Sequence, residues 1–316
     1  MKFSLGGLSA SKQTEYDVIV IGAGIGGLTA AMYATRAGAK TLVLEKNAVP
    51  GGALTLTYAI ENYPGFKFIE GKKLAELVAE QASHWGATIS YLEEAKEVKL
   101  EGDYKIVKTL KGTYKAKAII VATGATPRKL GVPGEDKFFG KGVSTCAICD
   151  APFFKDKVVA IVGGGNTAFD EGDYILRYVK KAYFIHRRDK FRADKVLVER
   201  VKKNPKAEFI LNSVVEEIIG DESVKKIRIR NLQTNETMEL EVDGVFIFIG
   251  YEPNSKIVEQ YVETKNGYIV TDERMETKTK GIFAVGDVRW GSLKQAVISA
   301  GEGATAGYYA AQEVLE

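Results

Sequence analysis

The sequence has little of what stapled folds and metal centres are built from. Its 316 residues hold two cysteines and two histidines. Two cysteines cannot form a structural disulfide framework. His84 and His186 are distant in the chain, and neither reads as a metal ligand, so no metal is expected. Charge of one sign is also missing: 44 Lys and Arg oppose 41 Asp and Glu, and a net charge of +3 gives no nucleic-acid footprint. There is no apolar run long enough to span a membrane. The opening MKFSLGGLSASKQTEYD lacks the apolar stretch of a signal peptide, so residues 1–15 read as a loose arm or an extra surface element, and the expected location is cytoplasmic. What remains is an ordinary globular composition, 45% hydrophobic and 27% charged, with length for two domains or one large α/β unit.

Glycine is plentiful and clustered. After a β-branched run at Asp17–Ile21 come Gly22, Gly24 and Gly27, then an alanine-rich stretch, Ile25–Ala37, that predicts a helix with Gly38 at its end. A second strand, Lys40–Leu44, ends at Glu45, 23 positions after Gly22. Strand, glycine turn, helix, strand and acid are the order of a dinucleotide site. Gly22 permits the turn, Gly24 admits a pyrophosphate, Gly27 lets the helix close on the sheet, and the first helix amides face the phosphates. Glu45 suits the hydroxyls of an adenosine ribose and repels a 2′-phosphate, so FAD or NAD is expected here. Gly26 and Lys46 fall within the same site. Gly51, Gly52, Leu54, Thr57 and Asn62 occupy a long glycine-broken connection that can pass under a large cofactor.

Further along, a helix is expected over Gly71–Trp85, with Leu74, Leu77, Val78 and Ala82 on its apolar face. A β-rich section, Ala87–Lys117, turns at Glu101-Gly102-Asp103. A strand then ends in Ala122-Thr123-Gly124, small residues that can approach a nucleotide closely.

The plan recurs. Strand Val158–Val162 runs into Gly163, Gly165 and Ala168, a helix is expected over Asn166–Val179 with Asn166 and Thr167 at its start, and a strand follows at Lys181–Ile185. Where the first unit ends in an acid, this one ends in His186-Arg187-Arg188, with Arg192 beyond. Arginines there can hold a 2′-phosphate by paired, charge-assisted hydrogen bonds, so the second nucleotide is expected to be NADPH. His186 is expected to be a peripheral nucleotide contact.

Both cysteines lie just ahead of this second unit, in TCAICDAPFF. Zinc needs four ligands and finds two sulfurs here; two inert thiols are another reading. Beside two dinucleotide sites, a redox dithiol fits better, with Asp150 next to Cys149 able to give and take the accompanying proton. A flavin is the natural converter between a nicotinamide and a dithiol, which assigns FAD to the Glu45 site.

Taken with Ala122–Gly124, HRRDKFRAD and GIFAVGDVRWGSLKQAVISAGEGATA, these motifs resemble the low-molecular-weight thioredoxin reductases of bacteria and archaea, from about Glu15 to the C-terminus. The resemblance implies an α/β fold of two Rossmann-like domains, the second inserted into the first. FAD would occupy 1–126 and 254–316, and NADPH with the dithiol 127–253. ATGATPR and GYEPNS would be a two-strand hinge. It implies that Gly286 and Asp287 bind the ribityl or phosphate region, and that Lys294, Gln295 and Ala296 lie near the isoalloxazine. It implies a homodimer, reduction of thioredoxin or a thioredoxin-like protein, Cys149 nearest the flavin, Cys146 attacking the thioredoxin disulfide, and Asp150 as general acid. The alternative within the fold is a reductase of a glutaredoxin-like or peroxiredoxin-linked disulfide that also accepts NADH. Departures are Ile25-Gly26, Ala53, Asn166-Thr167 and Lys294.

Overall fold

In the computed structural model, residues 14–56, 60 and 62–316 are described. The expected arm therefore lies outside the described residues, save Thr14 and Glu15, which begin the first strand; Thr57 also lies outside them. In chain order the first stretch runs β1 (Thr14–Ile21), α1 (Ile25–Arg36), β2 (Thr41–Leu44), α2 (Gly71–His84), β3 (Thr88–Ser90), β4 (Glu97–Glu101), β5 (Tyr104–Lys108), β6 (Thr113–Val121) and β7 (Ala125–Pro127). The middle stretch runs α3 (Glu135–Phe138), β8 (Val143–Ser144), α4 (Ala147–Asp150), β9 (Val158–Gly163), α5 (Asn166–Ile175), β10 (Lys181–Ile185), α6 (Lys195–Lys202), β11 (Ala207–Ile210), β12 (Ser213–Gly220), β13 (Val224–Asn231), β14 (Thr237–Glu241) and β15 (Gly244–Phe248). The last holds β16 (Tyr251–Pro253), β17 (Thr264–Lys265), β18 (Tyr268–Ile269), β19 (Ile282–Ala284) and α7 (Ala296–Leu315). None of the described helices is long and apolar enough to cross a membrane.

The chain forms two compact units. One gathers the chain up to Thr55, Gly71–Ala125 and Pro253–Glu316; the other gathers Leu56–Glu70 and Thr126–Glu252. The strands that carry the chain out and back, β7 and β16, pair with each other.

In the first unit β3, β2, β1 and β6 pair in parallel. Along its far edge β6 has two successive neighbours. Its first half pairs antiparallel with β5, Thr113 opposite Lys108, and its second half pairs parallel with β19, Ile119 opposite Ile282. Helix α1 follows from the sequence: alanine-rich, buried along most of its length, and stopped by Gly38. Gly38 has φ +102°, and the amides of Gly38 and Ala39 bond back to the carbonyls of Thr35 and Ala34, closing the helix end. Helix α7 lies so close to α1 that a Cβ on Gly303 or Gly307 would stand 2.2 Å from the carbonyl oxygen of Gly26 or Ala30. Helix α2 ends at His84, one residue before the expected limit, and its buried stripe is Leu74, Ala75, Ala79 and Ala82. Leu77, expected on that face, is 36% exposed. At 100° per residue it sits about 130° from the centre of the stripe.

The second unit repeats the plan with an all-parallel sheet, β11-β10-β9-β15-β8, beside an antiparallel sheet, β12-β13-β14. Its strands are runs such as Val159–Ile161 and Phe184–Ile185, buried on both faces as a parallel sheet requires. Helix α5 stops at Ile175 rather than Val179. The next residues tighten into turns, and the Tyr178 carbonyl accepts from the Asp156 amide instead of continuing the helix.

Candidate active site

Parallel strands put their carboxyl ends on one side, and the order reverses beside β1 in the first unit and beside β9 in the second. The crevice there is where α/β sheets take ligands. In the first unit the segments after β1 (Gly22–Gly27), β2 (Glu45), β6 (Ala122–Gly124) and β19 (Gly286-Asp287) leave the same end of one parallel sheet. In the second, the disulfide loop after β8 and the glycine turn after β9 do the same.

The two glycine turns have one anatomy. A Cβ on Gly22 would lie 2.5 Å from the Ala122 carbonyl oxygen, and one on Gly163 2.5 Å from that of Phe248. At Gly27 a Cβ would press on the Gly22 carbonyl at 2.0 Å; Ala168, its counterpart, packs against Gly163. Gly24 and Gly165 cap α1 and α5, neither with a side-chain cap, and a Cβ on either would meet no protein atom within 4 Å. An open glycine at an uncapped helix start leaves amides for an anion, so the donor set fits a dinucleotide pyrophosphate at both places. Gly51 and Gly52 pass beside the first turn: the Gly51 amide donates to the Ala23 carbonyl, and Gly52 and Leu54 lie in a one-turn 3-10 helix. Asn62 lies in a loop pinched shut by the mutual bonds of Ile60 and Ile69. Gly26 packs tightly on the carbonyl of Ser299.

Glu45 is 4% exposed; one carboxylate oxygen accepts the Ala23 amide and the other the Asn47 amide, each at 2.8 Å. The neighbouring Lys46 is exposed. Thr123 donates to the Asn254 carbonyl at 2.7 Å, and Asn254 returns a bond to the Thr123 carbonyl at 2.9 Å, which fixes the turn at Gly124. The Gly286-Asp287 turn is clamped from α7: Glu302 accepts the Gly286 amide with one oxygen and Arg289 with the other, both at 2.6 Å. Burial pushes the Asp287 carboxyl above its ordinary range, Lys294 opposes, and Glu302 adds to the rise. Gln295 caps α7, Ala296 opens it, and Lys294 lies over the Tyr268 ring.

In the second unit the arginine loop folds back onto its turn. The amides of Arg192 and Ala193 donate to the Gly164 carbonyl, and Asn166 exchanges two bonds of 2.9 Å with Asp194. Thr167 follows Asn166 in the first turn of α5. Arg187, Arg188 and Arg192 are exposed, and none pairs with an acid among the described residues. His186 is 7% exposed: its ring occupies the space a Gly164 side chain would fill and neighbours Phe191. Burial holds its pKa down, helped by the nearby arginines against a bond to the Lys190 carbonyl.

Cys146 and Cys149 are joined as a disulfide with Cα atoms 5.4 Å apart. Cys146 caps α4 by accepting the Cys149 amide at its sulfur, while Glu171 on α5 accepts the Ala147 amide at 3.0 Å. Burial pushes the Asp150 carboxyl up; the Ser144 hydroxyl, donating to it at 2.6 Å, pulls the other way. Ser144, Glu171, Asn254, Arg289 and Glu302 go beyond the residues expected from the sequence; a polar side chain within or beside each motif is the only signal that marks them. No metal cluster is found among the described residues.

Two open glycine turns at the heads of parallel sheets, one with a disulfide at the same end, define a dinucleotide-binding α/β protein with a redox-type disulfide. The model of the pyridine nucleotide-disulphide oxidoreductase family matches residues 16–303, and the chain belongs to that family. It is 46% identical over 309 residues to a thioredoxin reductase of Listeria innocua, covering 97% of this chain and 96% of the relative. It is 45% identical over 298 residues to one of Bacillus subtilis, covering 94% of each. A thioredoxin reductase structure from Streptococcus pyogenes matches with a TM-score of 0.89 at 40% identity, covering 96% of this chain and 99% of that one. Membership implies a flavin and a pyridine nucleotide working with the disulfide.

Proposed function

We propose that the protein is a thioredoxin-disulfide reductase that uses FAD and NADPH. The observation that carries this is the Cys146–Cys149 disulfide with a buried carboxyl beside it, at the same sheet end as an open glycine turn. FAD belongs to the first unit, held by Gly22–Gly27, Glu45, Gly51-Gly52, Ala122–Gly124, Gly286-Asp287 and Lys294–Ala296. The domains are 1–126 with 254–316 for FAD, and 127–253 for NADPH and the dithiol. A flavin held by Gly22–Gly27, Glu45 and Gly286-Asp287 would supply the two-electron chemistry that links a nicotinamide to the disulfide.

The chain's own residues do the rest. Gly163, Gly165 and the α5 amides seat the pyrophosphate of NADPH, and Arg187, Arg188 and Arg192 bind the 2′-phosphate. These arginines favour NADPH as the electron donor over a nucleotide-free donor. Asp150 holds a proton at neutral pH more readily than an exposed aspartate and delivers it to a departing sulfur. Cys149 is the electron-receiving sulfur and Cys146 the one that attacks thioredoxin. A cytoplasmic homodimer completes the reading.

Anaerobic stopped flow on the flavin-loaded enzyme tests it. Cys146→Ser and Cys149→Ser should keep flavin bleaching by NADPH and lose thioredoxin reduction. Full thioredoxin turnover by either variant overturns the proposal.

A further inference from the structure

We propose that Ser144 is a positioning residue for the proton-transfer step: its hydroxyl holds the Asp150 carboxyl in line with the Cys146 segment. The inference rests on Asp150 being the acid. Ser144 is 3% exposed, at the carboxyl end of edge strand β8, registered against Phe246. Its oxygen lies 2.6 Å from an Asp150 oxygen and 3.2 Å from the Cys146 carbonyl, and it accepts the Cys146 amide at 3.1 Å. A hydroxyl has one proton to give. The shorter contact, to a carboxylate, takes it, leaving the oxygen lone pairs for the Cys146 amide. One side chain thus ties the acid to the backbone of the cysteine it serves.

The surroundings leave Ser144 as the group that sets Asp150's behaviour. From α5, the charged group against α4 is Glu171, and it faces the Ala147 amide. From β16, the Tyr251 hydroxyl donates to the Thr145 carbonyl. The two sulfurs are bonded to each other. Burial raises the Asp150 pKa, and the Ser144 bond, which favours the ionised form, restrains it. When the disulfide takes up the two electrons of the proposed reaction, the S–S bond breaks. The electron pair stays on the departing Cys146 sulfur, and the Asp150 proton moves to that sulfur, leaving a carboxylate that Ser144 stabilises.

The test is the pH profile of disulfide opening in the flavin-loaded enzyme, read as the slow phase of anaerobic reduction by NADPH. In the wild type the rate should fall at high pH as Asp150 loses its proton. Ser144→Ala should lower the plateau about tenfold, part of the hundredfold or more that a placed acid contributes, and move the alkaline limb to higher pH. Ser144→Thr, which keeps a hydroxyl, should restore both. A Ser144→Ala profile scaled down uniformly with its limb unmoved overturns the inference, because a merely structural loss moves no limb. Asp150→Asn should abolish the limb. Its survival in Asp150→Asn overturns the assignment of the acid itself, and with it the role of Ser144. A Ser144→Ala variant without flavin or disulfide would leave Ser144→Thr as the deciding profile, which must then match the wild type for the inference to stand.

Discussion

Cutting Glu302 back to alanine should loosen the grip on the flavin more than any other single change on α7. The carboxylate has two jobs: it accepts the Gly286 amide and pairs with Arg289, both at 2.6 Å. The pair is largely sheltered, with side-chain exposures of 17% for Arg289 and 8% for Glu302. Without Glu302 the guanidinium keeps a 3.3 Å bond to Thr271, and among the described residues its Nε has no partner already. Breaking a buried pair from one side costs about 3–5 kcal/mol, because a desolvated charge is left behind. Glu302→Gln keeps an acceptor for one of the two donors and should cost about 1.5–3 kcal/mol. Removing both charges, as Arg289→Met with Glu302→Gln, keeps an acceptor for the Gly286 amide and should recover most of the loss. Flavin fluorescence during urea titration is the assay, since it reports release from the site proposed at the Gly286-Asp287 turn without assuming that a two-unit protein unfolds in one step. Equal midpoints for Glu302→Ala and the wild type, or a double variant weaker than both singles, would refute the reasoning.

Two further outcomes are expected. Neutral replacements of Arg187 and Arg188 should raise KM for NADPH about ten- to hundredfold per lost charge-assisted bond, with KM for NADH little changed; equal effects in steady-state assays would show that the loop does not read the 2′-phosphate. Burial pushes Glu93 up, but bonds from Ser90, Tyr114 and Thr109 and the charge of Lys111 outweigh it and hold its carboxyl below the ordinary range. A depressed carboxyl stabilises the fold above its unfolded pKa, about 4.3, and that stability drains away as pH falls through the folded value. Urea midpoints measured on the acid side should therefore drop less steeply for Glu93→Gln than for the wild type, and parallel curves would exclude Glu93 as a contributor.

Residues whose constraint is local could be read from the chain. Gly22, Gly24 and Gly27 sit where a turn, an opening and a close helix contact each forbid a side chain, and those demands fall within six residues. The charge reversal between Glu45 and Arg187-Arg188 is likewise visible in one dimension. Other parts need the third. Asn254 meets Thr123 across 131 positions because β7 and β16 pair. Ser144 becomes an anchor for Asp150 only once α4 turns back over β8. Leu77 looked like part of a stripe because leucine is apolar; the side of α2 that packs was decided by Ala75 and Ala79, which a hydrophobicity pattern weights less. The expected extension of α5 fails for a related reason: the Tyr178 carbonyl is taken by the Asp156 amide, just ahead of β9, the strand that precedes the helix.

The divided edge of β6 bears on the order in which the chain can assemble as it leaves the ribosome. β19 supplies the strand beside Ile119–Val121, and Gly303 and Gly307 press against the helix that follows the first glycine turn. The amino-terminal portion is synthesised first, yet its sheet lacks a side until β19 and its helix layer until α7, both made after the whole second unit. The second unit, by contrast, draws its parallel sheet from one continuous passage, β8 to β15. Vectorial synthesis normally lets the earliest domain mature first. Here the middle of the chain can fold while the beginning waits, holding an unfinished apolar face, for the last helix to arrive. Truncations that spare every residue before Ile282 should therefore yield a folded centre flanked by an amino-terminal segment exposed to proteases and chaperones.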